Sequence, residues 1–219
     1  MRRTRGALSL VFDDGYTEIA EEVLPLLKRY GLRAVFAIPV NAATVARTEC
    51  ASLTALETWK KHCREEEHEL AAHGVSHRPL PSLTDHELEE ELRAAKEATG
   101  ATTLAYPGGA HDDRVRRAAA KFFTAARGTE WGMETLPPAD ALRLRTFNAT
   151  RKNFSVLTWN CRVLLAALSN RWCIETFHRV TDDPRLFHAV SLRDLERHLR
   201  FLTRTHLRIA TIREILEGP

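Results

Sequence analysis

Apolar positions along the chain alternate between short continuous runs and longer stretches with helical spacing. Ala7 to Phe12, broken only by Ser9, has the length of a buried strand. In the following stretch, Thr17 to Tyr30, Ile19, Val23, Leu26 and Leu27 recur on one helical face and Gly31 stands at the C-cap position. Together they read as one βα unit. Ala34 to Pro39 predicts a second strand, Ser52 to Cys63 a helix, and Glu69 to Ala72 a short third strand. Thr84 to Thr99 is the plainest helix: Thr84 and Glu87 have capping-box spacing, Leu88, Leu92 and Ala95 form the apolar side, and Gly100 ends it.

The pattern continues with Thr103 to Tyr106 as strand, Asp112 to Ala120 as helix and a strand near Thr124 to Ala126. Thr135 to Arg151 is the least regular region. Beyond it, Cys173 to Phe177 is strand-like, Leu192 to Leu202 is helical behind Ser191, and Leu207 to Thr211 leads into a last short helix. Val163 to Leu168, the longest other apolar run, falls far short of the roughly 20 residues needed to span a bilayer and reads as a buried helix. Strands alternating with helices predict an α/β fold with a parallel sheet, either an open doubly wound sheet or a closed barrel.

Composition narrows the picture. With 219 residues and 44% hydrophobic content, the whole chain, 1–219, is expected to form a single domain. Its formal charge is +3, with basic residues scattered through helical segments, so nucleic acid is not an expected partner. The start, Met1-Arg-Arg-Thr-Arg-Gly6, is charged like a signal peptide, but its apolar stretch runs straight into Asp13-Asp14, and a cytoplasmic protein without a transmembrane segment is expected. Cys50, Cys63, Cys161 and Cys173 show neither metal-type pairing nor the density of a disulfide scaffold, which fits reduced thiols.

The chemistry-bearing residues sit at strand ends. Asp13-Asp14-Gly15 follows the first strand; an Asp-Gly pair signals a turn, but a turn needs only one of two mutually repelling carboxylates. His73-Gly-Val-Ser-His77 follows the third. In a chain with ten histidines this spacing alone is weak, but two imidazoles at a strand end can face one point, and a carboxylate would complete a two-histidine, one-carboxylate metal set with open positions for water and substrate. Zinc is the first expectation, and cobalt, nickel or iron suit the same donors. Tyr106-Pro-Gly-Gly109 brings bare backbone N–H groups to the same edge, and His178 follows the strand Cys173 to Phe177. Four such elements at the C-terminal ends of four strands are what an α/β active site requires.

Val11-Phe-Asp-Asp-Gly15, His73-Gly-Val-Ser-His77, Tyr106-Pro-Gly-Gly109 and Thr176-Phe-His178 resemble, in order and spacing, four of the five motifs of the polysaccharide deacetylases, carbohydrate esterase family four. The resemblance extends to Leu24-Pro-Leu-Leu-Lys-Arg-Tyr-Gly31 and the tail Leu195 to Leu216. It implies a distorted (β/α)7 barrel and a metal-dependent hydrolase that removes an N-acetyl or other N-acyl group from a sugar or polysaccharide. It further implies Asp13 as general base, Asp14, His73 and His77 as metal ligands, His178 as general acid and the backbone N–H of Gly108 as an oxyanion donor.

Two departures from the family pattern stand out. Ala105 occupies the place, two residues before the proline, where the third motif usually carries an arginine that steadies the base. The aspartate and tryptophan of the fourth motif have as their nearest counterparts Glu130 and Trp131 in Arg127-Gly-Thr-Glu-Trp131. Arg127 is therefore a candidate for the missing cation, and Tyr106, Arg127 and Trp131 are candidates for substrate binding. Competing readings keep the metal chemistry but change the substrate to a formylated sugar or a cyclic amide, or keep the barrel without turnover as a carbohydrate-binding relative.

Overall fold

A computed structural model describes residues 6–49 and 51–218. The basic start and Cys50 lie outside the described residues. Ten strands alternate with eight helices among those residues: β1 (Ala7–Asp13), α1 (Leu24–Tyr30), β2 (Val35–Ile38), α2 (Ala42–Glu49), α3 (Leu56–Glu65), β3 (Glu69–Ala72), α4 (Asp85–Thr99), β4 (Thr103–Ala105), α5 (Asp113–Ala119), β5 (Ala125–Arg127), β6 (Phe147–Asn148), α6 (Val156–Ser169), β7 (Trp172–Phe177), β8 (Arg179–Val180), β9 (Ala189–Val190), α7 (Leu192–Leu202), β10 (Arg208–Ile209) and α8 (Ile212–Glu217). The main sheet has the order β5-β4-β3-β2-β1-β7-β6, with β10 also against β1. All these pairings are parallel.

The two ends of this sheet are brought together by one short segment. Leu144 donates its N–H to Ala126 and accepts from Gly128, and three residues later Phe147 pairs with Glu175 of β7. The sheet is thus a curled, distorted barrel of seven strands with helices outside it, as the family resemblance implied. The inner face is built largely from small or β-branched residues, among them Ala7, Val11, Val35, Ala37, Ala71, Ala105 and Ala125, around Trp172 and Ile174. Between sheet and helices lie Leu8, Leu10, Phe12, Phe36 and Phe177, packed against Trp59 of α3 and Trp159 of α6. Strand alternation therefore carries Ser9, Val11 and Asp13 inward, while Leu8, Leu10 and Phe12 face the helices.

Several expected elements appear with their expected chemistry. Thr84 accepts from the Glu87 N–H, and Glu87 accepts from that of Thr84; Gly31 and Gly100 end their helices at φ 62° and 69°. Others differ. The helix expected from Thr17 opens with a wide π-type turn, Ile19–Val23, before α1. The helix expected from Ser52 begins at Leu56, because the preceding residues are used in pairing: Ser52 accepts from the Thr17 N–H and Leu53 bridges Tyr16. The Val163 to Leu168 run is helical within α6 but not buried throughout. Val163 and Ala166 are buried, whereas Leu164, Leu165 and Leu168 are exposed, Leu168 at 83%, because a 3.6-residue period lets one stripe face the core. Among the described residues no helix is long and apolar enough to cross a membrane.

Candidate metal and catalytic site

The C-terminal ends of β1, β3, β4, β5 and β7 open onto a cavity of about 430 Å³. Asp13, Asp14, His73, His77, Tyr106, Gly108, Arg127 and His178 all line it. The chain leaves β1 through a tight turn: Asp14 has φ 70° and Gly15 φ 80°, and the Asp14 N–H is held by the Ala37 carbonyl at 3.0 Å. At Gly15 a Cβ would lie 2.8 Å from the Trp59 indole nitrogen, so the turn needs glycine for space as well as conformation. Successive carboxylates are thereby sent to different partners.

Asp14 turns toward the histidines. Its Oδ1 is 3.3 Å from Nε2 of both His73 and His77, and the two Nε2 atoms are 3.2 Å apart. His73 Nδ1 donates to the Ala105 carbonyl at 2.8 Å, which leaves Nε2 of the neutral ring as a lone pair. Asp14 Oδ1 is buried without a hydrogen-bond donor. Ligand atoms about 3.3 Å apart are what a tetrahedral ion with bonds of about 2.0–2.1 Å produces, so the residues present fit a divalent metal. Burial acts to raise the Asp14 carboxyl, but the two imidazoles hold it well below the usual carboxylate range. Burial likewise acts to lower His73, and the carboxylates of Asp14 and Asp13 raise it.

The loop that delivers these histidines is braced from behind. Glu91 of α4 accepts from the N–H groups of Val75 and Ser76 at 2.8 Å each and from the Ser76 hydroxyl at 3.0 Å. Three donors on one carboxylate oxygen fix the path between His73 and His77, where Gly74 and His77 take φ 72° and 56°. No sequence signal marked Glu91, since a glutamate beside the apolar stripe of an amphipathic helix looks like any solvated residue.

Asp13 turns the other way, into the barrel mouth. Arg127 Nη2 lies 2.6 and 2.7 Å from its two oxygens, with both side chains buried. Arg127 is the register partner of Ala105 across β4 and β5, so the guanidinium reaches Asp13 one strand away from the place where the family pattern puts it. His178 Nε2 is 3.7 Å from Asp13 Oδ2, and its Nδ1 is buried without a partner. Gly108 lines the cavity at φ 61°, and a Cβ on Gly109 would collide with Thr129 at 2.3 Å.

The remaining candidates separate. Tyr106 lines the cavity but is almost wholly buried, its hydroxyl donating to the Leu142 carbonyl at 2.9 Å. Trp131 is not among the lining residues: it is 52% exposed and packs edge-on against Phe147 with the Arg162 guanidinium over its face. Glu130 pairs with His111 and Arg143 rather than His178. Tyr16, Thr129, Asn148, Arg179, Leu186, Phe187 and His188 also line the cavity, and sequence reasoning singled out none of them.

Comparison with known proteins agrees with this geometry. The model of the polysaccharide deacetylase family matches residues 2–124, more than half of the chain, a span that includes Asp13, Asp14, His73, His77 and Gly108 but ends before Arg127 and His178. A Bacillus subtilis (strain 168) relative named YxkH is 28% identical over an alignment of 145 residues that covers 59% of this chain and 45% of that protein. The alignment thus spans less than half the length of that relative. Among solved structures, the Xyl-CE4 domain of a multidomain xylanase from the hindgut metagenome of Trinervitermes trinervoides has a TM-score of 0.64 at 18% identity, covering 97% of this chain and 90% of that one. A family 4 carbohydrate esterase from Streptomyces lividans, solved with acetate, has a TM-score of 0.62 at 16% identity, covering 98% and 96%. At these identities the likeness is one of fold.

Proposed function

Because the chain belongs to the polysaccharide deacetylase family, we propose that residues 1–219 form a metal-dependent hydrolase domain that removes an N-acetyl group from a sugar unit. One observation carries the reading: a buried carboxylate oxygen without a donor, Asp14 Oδ1, faces Nε2 of two imidazoles, beside a second carboxylate gripped by a buried arginine. Asp14, His73 and His77 hold the metal, zinc being the first choice for such donors. A divalent ion there supplies Lewis acidity, which lowers the pKa of water and polarises an acyl carbonyl.

The chain's own residues divide the remaining work. Asp13, held in place by the Arg127 guanidinium, takes the proton of the attacking water as that water adds to the amide carbon. The Gly108 N–H stabilises the oxygen of the tetrahedral adduct. His178 then donates a proton from Nε2 to the departing amine nitrogen, so that the C–N bond breaks to give a free amine and acetate. The 3.7 Å between His178 Nε2 and Asp13 Oδ2 supports a base and an acid that act on one reacting centre.

Acetate release from N-acetylated glucosamine oligomers, measured before and after removal of metal by a chelator and after its return, tests the proposal. Release that stops on chelation and returns with zinc is expected. Formate release from formylated sugars, or opening of cyclic amides, with acetylated sugars untouched, would move the substrate assignment. Metal uptake with no hydrolysis of any N-acyl compound would leave a carbohydrate-binding protein.

A further inference from the structure

The cavity wall contributed by residues 186–188 belongs to a strap that, like the His73 to His77 loop, is held from behind by one residue. The strap joins β8 to β9, and its base is closed by Arg179 N–H to His188 O at 3.0 Å and Thr181 N–H to Val190 O at 2.9 Å. From outside the cavity, Arg151 satisfies four of its carbonyls. The backbone N–H donates to Phe187 O at 2.9 Å, Nη2 to Thr181 O at 3.0 Å and Asp183 O at 2.6 Å, and Nε to Leu186 O at 3.3 Å. One side chain with a rigid planar fork therefore fixes a loop without regular structure between its ends.

What that scaffold presents is an aromatic face. Phe187 and Trp131 are the two side chains among the described phenylalanines, tyrosines and tryptophans that are at least half exposed, at 50% and 52%. A cation sits over each ring, Arg162 at 5.3 Å from the Trp131 centroid and Lys152 Nζ at 5.7 Å from that of Phe187, and of the two only Phe187 lines the cavity. What gives the ring its meaning is its place on the cavity wall: the apolar C–H face of a sugar ring is a fitting partner for it, its polarised hydrogens meeting the negative face of the phenyl ring. A cavity of about 430 Å³ is at the small end of the range of ligand pockets, so the wall addresses the one sugar unit whose acyl group reaches Asp13.

We propose that Phe187 is the stacking platform for the sugar unit carrying the scissile amide, and that Arg151 is the positioning residue that holds it there. The proposal rests on the deacetylase reading for its substrate class. The sugar ring itself keeps its bonds and shape while the amide it carries is cleaved, so stacking on its face is present equally in the ground and transition states and its loss falls on KM rather than kcat.

The test uses triacetylated chitotriose with Phe187→Ala, Phe187→Tyr and Arg151→Gln, following acetate release together with binding by saturation-transfer NMR and metal content. Phe187→Ala is expected to raise KM about tenfold with kcat within about twofold, the weight of one aromatic contact, and to reduce saturation transfer to the sugar ring protons. Phe187→Tyr should behave as wild type. Arg151→Gln, outside the cavity, should reproduce the Phe187→Ala defect with metal content unchanged; if it does not fold, the Phe187 pair decides. Unchanged KM and binding in Phe187→Ala, or a loss confined to kcat, would overturn the proposal while leaving the deacetylase reading intact. Sugar binding that depends on Phe187 without acetate release would overturn the deacetylase reading alone, and neither binding nor release in the wild type would overturn both.

Discussion

Replacing Arg127 should damage stability and chemistry together, and the structure says by how much. Its guanidinium lies 2.6 and 2.7 Å from the Asp13 oxygens, with both partners buried. Arg127→Ala leaves a carboxylate uncompensated in the barrel mouth, a class of change that costs about 3–5 kcal/mol. Against a total stability of about 5–15 kcal/mol that is a large fraction. At about 2–4 °C per kcal/mol for a domain of this size, the melting temperature should fall by roughly 6–20 °C. On the proposed mechanism a carboxylate no longer aimed at water also fails as the base, so kcat should drop by about a hundredfold or more. Register supplies the control: Ala105 sits opposite Arg127 on the neighbouring strand and on the same face, so Ala105→Arg combined with Arg127→Ala returns the guanidinium within one strand spacing, about 4.8 Å. Calorimetry and steady-state acetate release on the two single variants and the double should show the double recovering much of both losses. Full stability and full kcat in Arg127→Ala would refute the reasoning, and a folded double no more active than the single would show that Asp13 needs something other than the charge.

Two further outcomes follow from the same contacts. His178→Ala should lower kcat by about a hundredfold or more with metal content unchanged, as removal of a proton donor does, and equal activity would leave His178 a structural residue. Glu91→Gln keeps the shape of the brace behind the His73 to His77 loop but removes its charge; metal affinity, read by competition with a chelating dye, should weaken by about 10–100-fold, and an unchanged affinity would show that the loop holds its shape unaided.

How much of this was legible in the sequence depended on whether a residue's role is set locally. α4 and α7 could be read nearly to the residue because Thr84, Glu87, Gly100 and Ser191 act within a turn of the helix they bound. β1 and β3 were legible as short apolar runs ending in chemistry. α2 was not: Ala-Ala-Thr-Val-Ala-Arg-Thr-Glu has neither a clear apolar stripe nor a terminal signal. The segment through Leu144 and Phe147 was lost in the irregular region because each of its pairings uses one or two residues, too few for a period to show. In the site, His73, His77 and the two aspartates announce themselves by clustering at strand ends. Arg127 could be named only as a candidate, since its contact with Asp13 spans 114 positions and exists only once the sheet curls. Phe187 and Arg151 carried no sequence mark, because their relation is made by backbone carbonyls, which every residue has.

The division of labour between the adjacent aspartates tests the account most directly. Asp13→Asn and Asp14→Ala are compared for metal occupancy, by elemental analysis of the purified proteins, and for single-turnover acetate release. Asparagine at Asp13 preserves shape but cannot accept the proton, so that protein should carry close to one metal per chain and lose most of its rate, by about a hundredfold or more. Asp14→Ala removes the carboxylate oxygen 3.3 Å from both Nε2 atoms, the proposed third ligand, and should be depleted of metal and inactive until excess zinc is supplied. Metal lost from Asp13→Asn but retained by Asp14→Ala, or both quantities unchanged in both variants, would contradict the assignment on which the proposed chemistry stands.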